Sequence, residues 1–360
     1  RLTVALTAAQ PTTLRALVQR IGRQLADDQL VVTDMSRAGS LELDPTLQQS
    51  NGDGGLAPRE IRRLEGPIRA RDVERHTGIS PIRYFLDGSQ KTLPVWRVGT
   101  IPIVASVTAA GILERAAPSE VGLVPTAVVD RVTWVMPIHS GNPTLDRIVG
   151  LLERHGATVI DPLALVHRDD PSSYHHQLGF YTHLLERSFD AAKSHREQIE
   201  LDLLRLWQQN VLPGDPDGWI VADGRLRSEI RNAIGLVKDV QAQHLTGEEA
   251  IALYDLPAGC RTGAYALVED GHREQWDRAM WYLRMQNAIG QDARHGLIRL
   301  ETAMTEADAG LADLISSWIL AERAPRPSSD ARWATLLYPI HLLERMLKRR
   351  IQTITAGWPA

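Results

Sequence analysis

The spacing of hydrophobic and polar positions changes along this chain. Apolar residues recur every three or four positions over 12–29 and predict an amphipathic helix, and a second, more charged helix is predicted over 58–76. Short apolar and β-branched runs follow at 82–86, 93–98 and 100–109. Runs of this kind are typical of strands, and their close succession predicts an antiparallel meander.

The second half of the chain begins with a long helical pattern. Residues 171–210 carry the longest such stretch, and a turn rich in proline and glycine ends it. An apolar strand is predicted directly afterwards, at 219–223, and the last helix begins near Tyr338. Three strands, a long helix and a strand that returns beside the first form the element order of the ribonuclease H-like fold. We therefore predict an α/β fold with a ribonuclease H-like mixed sheet core flanked by helices, with a helical N-terminal region and helical insertions.

The domain organisation follows from the same change of pattern. Residues 1–80 are predicted to be a helical and loop region suited to dimer or partner contacts. Residues 81–355 are predicted to form the core domain, with a helical insertion at about 110–210.

Two of the predicted strands end in Asp-Gly. Residues 84–89 contain Asp87, and residues 219–226 contain Asp223. A strand that ends in a carboxylate presents it at the edge of a sheet, where two such groups can share a divalent ion. For either motif alone, a turn that merely ends a strand is the simpler interpretation. Because both motifs follow hydrophobic strands, with a long acidic helix between them, we favour a metal site.

Metal-assisted phosphodiester hydrolysis is the chemistry that such a site supports. A divalent ion activates a water molecule and offsets charge on the leaving oxygen. Carboxylate oxygens are hard ligands that suit Mg²⁺ or Mn²⁺. The helix over 193–207 offers Glu197, Glu200 and Asp202 as a third ligand. Glu200 lies beside the apolar stripe that packs on the sheet and is favoured to point inward.

The terminal helix opens with two further candidates, Tyr338 and His341. A histidine near a scissile phosphate can orient or protonate it. A partly buried aromatic ring and a surface histidine are the alternative interpretation. The sequence does not decide between the two.

Composition limits the partners and the chemistry. The net charge is −4 over 360 residues, so positive charge for nucleic acid must be local. The local candidates are Lys238, Arg345, Lys348 and Arg349. A solvated basic face is the alternative for these residues.

The remaining features exclude several classes of protein. One cysteine, Cys260, allows no intrachain disulfide and no cysteine-based zinc site, and it indicates a reducing, cytoplasmic setting. No run of about 18 apolar residues occurs, so no membrane span is predicted. The absence of a Gly-x-Ser-x-Gly elbow and of a P-loop argues against serine-hydrolase and ATPase chemistry.

Five motifs together resemble the NurA nuclease family. The family has a strand ending in DG-S, a second strand with DG-x-L, a G-x-x-K segment and a late Y-P-x-x-L helix. The segments of this chain that carry the resemblance are 85–89, 221–226, 234–238, 297–301 and 338–342. The resemblance covers roughly residues 80 to 355.

The resemblance implies a Mn²⁺-dependent (or Mg²⁺-dependent) DNA nuclease with a ribonuclease H-like core. It implies a homodimer, a hexameric HerA-type ATPase as partner, and a role in DNA end processing or antiviral defence. By family pattern Asp87, Glu200 and Asp223 are the metal ligands, and Tyr338 matches a late tyrosine. The family also has a histidine about two turns later, where this chain has Met346.

A different class of protein is the main alternative. A catalytically weak scaffold that binds DNA, or docks onto an ATPase ring, would also carry these motifs. The missing late histidine and the unremarkable net charge favour this alternative. Metal affinity and metal-dependent cleavage distinguish the two hypotheses.

Overall fold

The structure, a computed structural model, describes residues 13–43, 60–117, 120–123, 127–238, 244–268, 278–304, 310–323 and 333–359. Within these ranges the chain is a mixed α/β protein whose strands join in one large mixed sheet. The helices are α1 (Leu14–Asp27), α2 (Pro143–Arg154), α3 (Ala164–Asp169), α4 (Pro171–Gln177), α5 (Tyr181–Asn210), α6 (Gly247–Tyr254), α7 (Leu311–Glu322) and α8 (Tyr338–Ile354).

Fourteen described strands contribute to the sheet. They are β1 (Thr33–Asp34), β2 (Ile61–Arg63), β3 (Arg71–Asp72), β4 (Ile82–Val98), β5 (Ile101–Ala117), β6 (Glu120–Leu123), β7 (Val129–Val135), β8 (Thr158–Ile160), β9 (Trp219–Asp223), β10 (Ala233–Val237), β11 (Cys260–Arg261), β12 (Tyr265–Leu267), β13 (Arg278–Arg284) and β14 (Leu297–Ala303). The main path through the sheet runs β2-β12-β13-β14-β10-β9-β4-β5-β7-β8.

The two longest strands lie at the centre of the sheet. β4 and β5 pair antiparallel, from Tyr84 opposite Glu114 to Val98 opposite Ile101. β9 lies parallel to β4 on its other side, and β10 lies parallel to β9. β7 pairs antiparallel with β5. The five central strands therefore run in the order β10-β9-β4-β5-β7, with β4 in the middle.

Two helices cover opposite faces of this central sheet. Phe85 of β4 belongs to the same hydrophobic core as Leu343 and Leu347 of α8. The next residue, Leu86, packs instead with Leu203 of α5. Because successive side chains of a strand point to opposite faces, α8 and α5 lie on opposite sides of β4.

Two predicted helices are present, and each begins close to the predicted residue. The helix predicted over 12–29 is α1, where Thr13 accepts a hydrogen bond from the backbone N–H of Ala16 at 3.3 Å. The terminal helix begins at Tyr338, as the sequence predicts. Pro339 follows in its first turn, where a missing N–H costs no helical hydrogen bond.

The charged helix predicted over 58–76 is wrong for residues 60–76, which the structure describes. This segment contains β2 and β3, which pair with β12 and β11. Between them, Glu65 accepts hydrogen bonds from Arg261 Nη1 at 2.6 Å and from the backbone N–H of Ala264 at 2.7 Å. Arg and Glu favour a helix locally, but contacts with a distant part of the chain override that preference.

The meander also differs from the prediction. β4 is continuous through the polar stretch 87–92, and the run predicted over 100–109 is the first half of β5. The hydroxyl groups of Thr92 and Ser106 are buried and lie 3.5 Å apart across the two strands. Polar side chains that satisfy each other in this way allow a strand to continue through a polar segment.

The long helical stretch predicted over 171–210 is two helices. α4 ends at Gln177, and α5 begins at Tyr181 after a short connection that contains Gly179. Buried apolar residues of α5 alternate with charged ones along its 30 residues. Among the described residues, no helix combines the length and the apolar character needed to cross a membrane.

The predicted N-terminal region and the core share one sheet. α1 packs into the main core through Leu14, Ile21 and Leu25. β1, β2 and β3 pair with β4, β12 and β11. The insertion predicted at about 110–210 holds strands β6 to β8 as well as helices α2 to α5.

Candidate functional site

Asp87 and Asp223 are neighbours on adjacent strands. Leu86 of β4 is paired with Ala222 of the parallel strand β9, so the next residue of each strand is one of the two aspartates. Adjacent strands lie about 4.8 Å apart, and residues at the same level of parallel strands point to the same face. The two carboxylates therefore lie side by side where β9 ends.

Asp87 is a buried carboxylate surrounded by other charges. The residue is only 7% exposed. Burial raises the pKa of Asp87 well above its ordinary value, and the negative charges of Asp223, Glu200 and Glu344 raise this pKa further, whereas Lys238 lowers it. A cation placed beside Asp87 would offset this unfavourable charge.

One cation is already present beside the two aspartates. Lys238 Nζ lies 2.6 Å from Asp223 Oδ2, and the lysine side chain is 12% exposed. Lys238 lies on the same face as Asp223 because Leu236, two residues earlier, is the β10 partner of Asp223. The ammonium group that the sequence predicts as a DNA contact is thus bound to Asp223 in this structure.

Glu200 approaches the site from α5, on the other face of the sheet. A Cβ at position 88 would overlap its Oε1 and would lie 2.8 Å from its Cδ, so only glycine at 88 leaves room for this carboxylate. Nε of Arg196 lies 3.6 Å from Glu200 Oε1. Burial raises the pKa of Glu200 from its ordinary 4.5 to about 7; Arg196 opposes the shift, and Glu197 and Asp223 add to it.

The other two candidate ligands on α5, Glu197 and Asp202, have partners of their own. Glu197 Oε2 is 2.6 Å from Nη2 of Arg227. Asp202 is largely exposed and lies 3.7 Å from Arg205. Of the three helix candidates, Glu200 is therefore the one whose charge acts on both aspartates of the strands.

Glu344 of α8 is a carboxylate near Asp87 that the sequence analysis missed. Its charge contributes to the raised pKa of Asp87, and its Oε1 lies 2.7 Å from Lys348 Nζ. Glu344 is the sole acidic residue in the sequence of α8. The ribonuclease H-like architecture has an acidic group on a late helix, so this was the signal that could have identified Glu344.

The other predicted residues of α8 are not joined to the aspartates. Tyr338 is 53% exposed, and Nδ1 of His341 is buried without a hydrogen-bond partner. Within the described ranges, no hydrogen bond or ion pair links either residue to Asp87. Arg345 and Arg349 are exposed on the same helix.

The residues present can be compared with what a divalent ion needs. In the described part of the chain, no group of three or more His, Cys, Asp or Glu side chains is arranged to hold a metal ion, so Asp87, Glu200 and Asp223 are not assembled as one ligand set. Mg²⁺ is commonly held by only one or two carboxylates together with waters and substrate phosphates. Asp87 and Asp223 supply such a pair of oxygen donors, and they fit a two-carboxylate site.

A buried ionic group fixes the loop that follows Asp223. Glu301 of β14 accepts a hydrogen bond from the backbone N–H of Leu226 at 3.1 Å, and Arg278 Nη1 donates to the Leu226 carbonyl at 2.9 Å. Arg299 Nη2 donates to the other oxygen of Glu301 at 2.9 Å. Both backbone polar groups of Leu226 are therefore held by residues of the neighbouring strands.

Gly235 allows this loop to fold back over β10. A Cβ at position 235 would lie 3.0 Å from the carbonyl oxygen of Gly224 and 3.1 Å from the backbone nitrogen of Leu226. We expect Gly235→Ala to displace the loop and Asp223. The metal-dependent DNA cleavage that the sequence predicts should then fall about 100-fold. Activity assays below the unfolding temperature measure this loss. Gly22→Ala in α1, where the new Cβ meets nothing within 4 Å, is the matched control and should be harmless; equal losses in both variants would refute the explanation.

The raised pKa of Glu200 predicts a pH dependence of stability. A folded-state pKa of about 7 against an ordinary 4.5 means that the folded protein binds the proton more tightly than the unfolded chain. This stabilising contribution is complete below about pH 4.5 and is lost as the pH rises through about 7. We expect Glu200→Gln to remove this part of the pH dependence of the metal-free protein. Urea titrations from pH 4.5 to 8 test it, and a variant profile parallel to that of the wild type would contradict it.

The single cysteine has no role in this site. Sγ of Cys260 donates to Asp72 Oδ1 at 3.2 Å, far along the sheet in β11. Burial raises the pKa of this thiol to about 11, and Asp72 adds to the shift. A thiol with so high a pKa is a poor nucleophile at neutral pH.

Comparison with known proteins adds no relative to this description. The chain matches no protein-family model. A search of curated proteins finds no significant match either. The function must therefore be inferred from the geometry of the site itself.

Proposed function

We propose that this chain is a divalent-metal-dependent deoxyribonuclease with a ribonuclease H-like core. The observation that carries the proposal is the pairing of Leu86 with Ala222, which sets Asp87 and Asp223 side by side at the end of β9. Asp87 is a buried carboxylate with a raised pKa beside a second carboxylate, and such groups are more common at functional sites than elsewhere. The site residues would be Asp87 and Asp223, with Glu200 and Glu344 close by.

The strand order supports the ribonuclease H-like part of the proposal. In order of appearance, β4, β5 and β7 form the antiparallel part, and β9 returns parallel to β4 after the long helix α5. β10 then extends the sheet beyond β9. An antiparallel meander, a helix and a returning strand are the order typical of the ribonuclease H-like fold, although the meander consists of β4, β5 and β7 and not of the three runs predicted from the sequence.

The proposed chemistry divides between the ion and the protein. A bound Mn²⁺ or Mg²⁺ would supply an activated water and would offset charge on the leaving oxygen. Asp87 and Asp223 would hold the ion, because they offer adjacent oxygen donors. Glu200, with a pKa of about 7, suits proton transfer near neutral pH. Arg196 of α5 and Arg227, which pairs with Glu197 of α5, are the nearby cations that could attract phosphate.

The partners belong to the same proposal. DNA is the substrate that the resemblance to the NurA family implies, and a hexameric HerA-type ATPase is the partner that would deliver it. A homodimer, and a role in DNA end processing or antiviral defence, are further parts of this expectation. Arg345 and Arg349, exposed on α8, are candidate phosphate contacts.

The direct test is cleavage of linear DNA by the purified chain. We expect degradation with Mn²⁺, weaker degradation with Mg²⁺, and none with EDTA. The assay should be run with blunt, overhanging and circular DNA, because the sequence does not fix the preferred form. Failure to cleave any form with either metal, with and without a HerA-type ATPase, would refute the nuclease proposal.

A non-catalytic scaffold is the second candidate. The observation that favours it is the lack, among the described residues, of a ready three-ligand group for a metal. Such a scaffold would bind DNA or an ATPase ring without cleaving DNA. Binding that persists with EDTA, in a chain that cleaves nothing, would support the scaffold.

A further inference from the structure

Lys238 places a cation in contact with one of the two carboxylates and near the other. Its Nζ lies 2.6 Å from Asp223 Oδ2, and its charge acts favourably on Asp87 as well. The lysine side chain is 12% exposed and that of Asp223 is 23% exposed, so solvent screens the pair only in part. The ion pair is therefore tighter than an ordinary surface salt bridge.

The backbone explains why the ammonium group lies at this point. Leu236 is paired with Asp223, and β10 ends at Val237. Lys238, the next residue, leaves the sheet with its side chain on the face of Asp87 and Asp223. The position is thus set by the strand register rather than by a flexible surface side chain.

The charges within this group decide what Lys238 does. Asp87 is only 7% exposed, and the charges of Asp223, Glu200 and Glu344 act unfavourably on it. Against them, the ammonium group of Lys238 is the cation whose charge acts on Asp87 directly. A divalent ion bound by Asp87 and Asp223 would bring two positive charges to the same place, and like charges repel.

We propose that Lys238 is a built-in counter-ion that holds Asp223 when the site has no metal, and that divalent metal binding displaces its ammonium group. This inference rests on the proposed function, because it takes Asp87 and Asp223 as the metal ligands. Lys238 then sets the metal affinity by competition. Once displaced, the ammonium group stays within reach of the site and can contact a phosphate that approaches the metal.

The test compares metal affinity in variants of Lys238. Lys238→Met keeps the aliphatic stem but removes the charge. We expect its metal-free form to melt about 5 °C lower, because Asp223 and Asp87 lose their counter-ion. We expect its affinity for Mn²⁺, measured by titration calorimetry, to be about tenfold higher than that of the wild type. Lys238→Arg, which keeps the charge, should bind Mn²⁺ no more tightly than the wild type.

A second lysine supplies a matched control. Lys348 also pairs with a carboxylate near the site, Glu344, at 2.7 Å, but its side chain is 57% exposed. Lys348→Met should change the Mn²⁺ affinity less than twofold. A gain in this variant equal to that of Lys238→Met would mean that any loss of positive charge favours the metal, and it would overturn the proposed competition.

A measurement on the wild type covers the case in which Lys238→Met does not fold. Acylation of lysines by an activated ester, read by mass spectrometry, should be slow at Lys238 without metal and several-fold faster with Mn²⁺. An unchanged rate at Lys238 in protein that demonstrably binds Mn²⁺ would overturn the displacement.

The outcomes separate this inference from the proposed function. Unchanged or weaker Mn²⁺ affinity in Lys238→Met, beside a wild type that binds Mn²⁺ and cleaves DNA, overturns the role of Lys238 alone. A wild type that binds no Mn²⁺ removes the metal site, and the role of Lys238 falls with it. Tighter binding in Lys238→Met, with no gain in Lys238→Arg or Lys348→Met, supports the inference.

Discussion

Asp87→Asn should abolish metal-dependent cleavage and, at the same time, stabilise the metal-free protein. The variant loses a charged oxygen donor, and we expect activity to fall about 1,000-fold, which corresponds to about 4 kcal/mol of transition-state stabilisation. Asparagine keeps the Oδ1 that accepts the hydrogen bond from the backbone N–H of Gly88 at 2.8 Å. The local backbone should therefore be unaffected by the change.

The gain in stability has an electrostatic cause. Burial and the charge of Asp223 raise the pKa of Asp87, so above the ordinary carboxylate pKa this group costs the folded state free energy that the unfolded chain does not lose. Removal of this charge should raise the free energy of unfolding by about 1–2 kcal/mol, as is common when functional residues are replaced. Chemical unfolding with EDTA measures the gain, and Mn²⁺ should stabilise the wild type but not the variant.

Asp190→Asn is the matched control for this prediction. Asp190 lies on α5, and burial raises its pKa too. Its replacement should also favour stability slightly, but it should leave cleavage intact. Cleavage by Asp87→Asn at the wild-type rate, or a loss of metal-free stability in that variant, would show that Asp87 is not the metal-binding carboxylate of this site.

The pair of aspartates could be predicted because its signal is local. Each motif is an apolar run followed by Asp-Gly, so the run and its carboxylate lie close together in the sequence. The predicted strand end is confirmed for Asp223 of β9 but not for Asp87, because β4 continues to Val98. The step that places Asp87 beside Asp223 needs only that β9 lies parallel to β4 in register. The order of the predicted elements already indicated that these two strands are neighbours.

Other parts of the site depend on contacts that no local pattern carries. Only the predicted fold points to Glu344, because by its own pattern it looks like any charged residue of an amphipathic helix. The packing of Leu343 and Leu347 on the sheet brings its charge near Asp87. The ion pair of Lys238 depends on where β10 ends. Helix periodicity predicts which face of α8 is buried, but not which residue at the border of that face meets a distant strand.

The misassigned segments have the same cause. β2 and β3 exist because β12 and β11, about 200 residues later, complete their hydrogen bonds. The segment 60–76 that contains them is rich in Arg and Glu, which favour a helix. In β4, the polar residues after Asp87 suggested a break, whereas the antiparallel partner β5 pairs with them throughout. Long-range pairing, rather than intrinsic preference, decides both cases.

Glu301→Gln should cause the largest loss of stability among single substitutions near the site. Glu301 is fully buried and accepts hydrogen bonds from Arg299, Arg278 and the backbone N–H of Leu226. Glutamine has almost the same shape but no charge, so the buried Arg299 and Arg278 lose their counter-charge. One carboxylate oxygen is also replaced by an NH₂ group, which cannot accept the hydrogen bonds that these N–H groups donate. We expect the free energy of unfolding to fall by about 3–5 kcal/mol, the usual result of breaking a buried ion pair from one side.

The same change should affect the proposed metal site through Leu226, whose backbone Glu301 and Arg278 hold in place after Asp223. At temperatures where Glu301→Gln is still folded, cleavage should therefore fall further than after an equally destabilising change elsewhere. Asp292→Asn, which removes the carboxylate of an exposed pair with Arg294, should leave the free energy of unfolding almost unchanged. Urea unfolding of both variants at one pH measures the two losses of unfolding free energy. The larger loss is expected for Glu301 because it is buried and Asp292 is exposed. Equal losses would mean that water reaches Glu301 and that other residues hold the loop after Asp223.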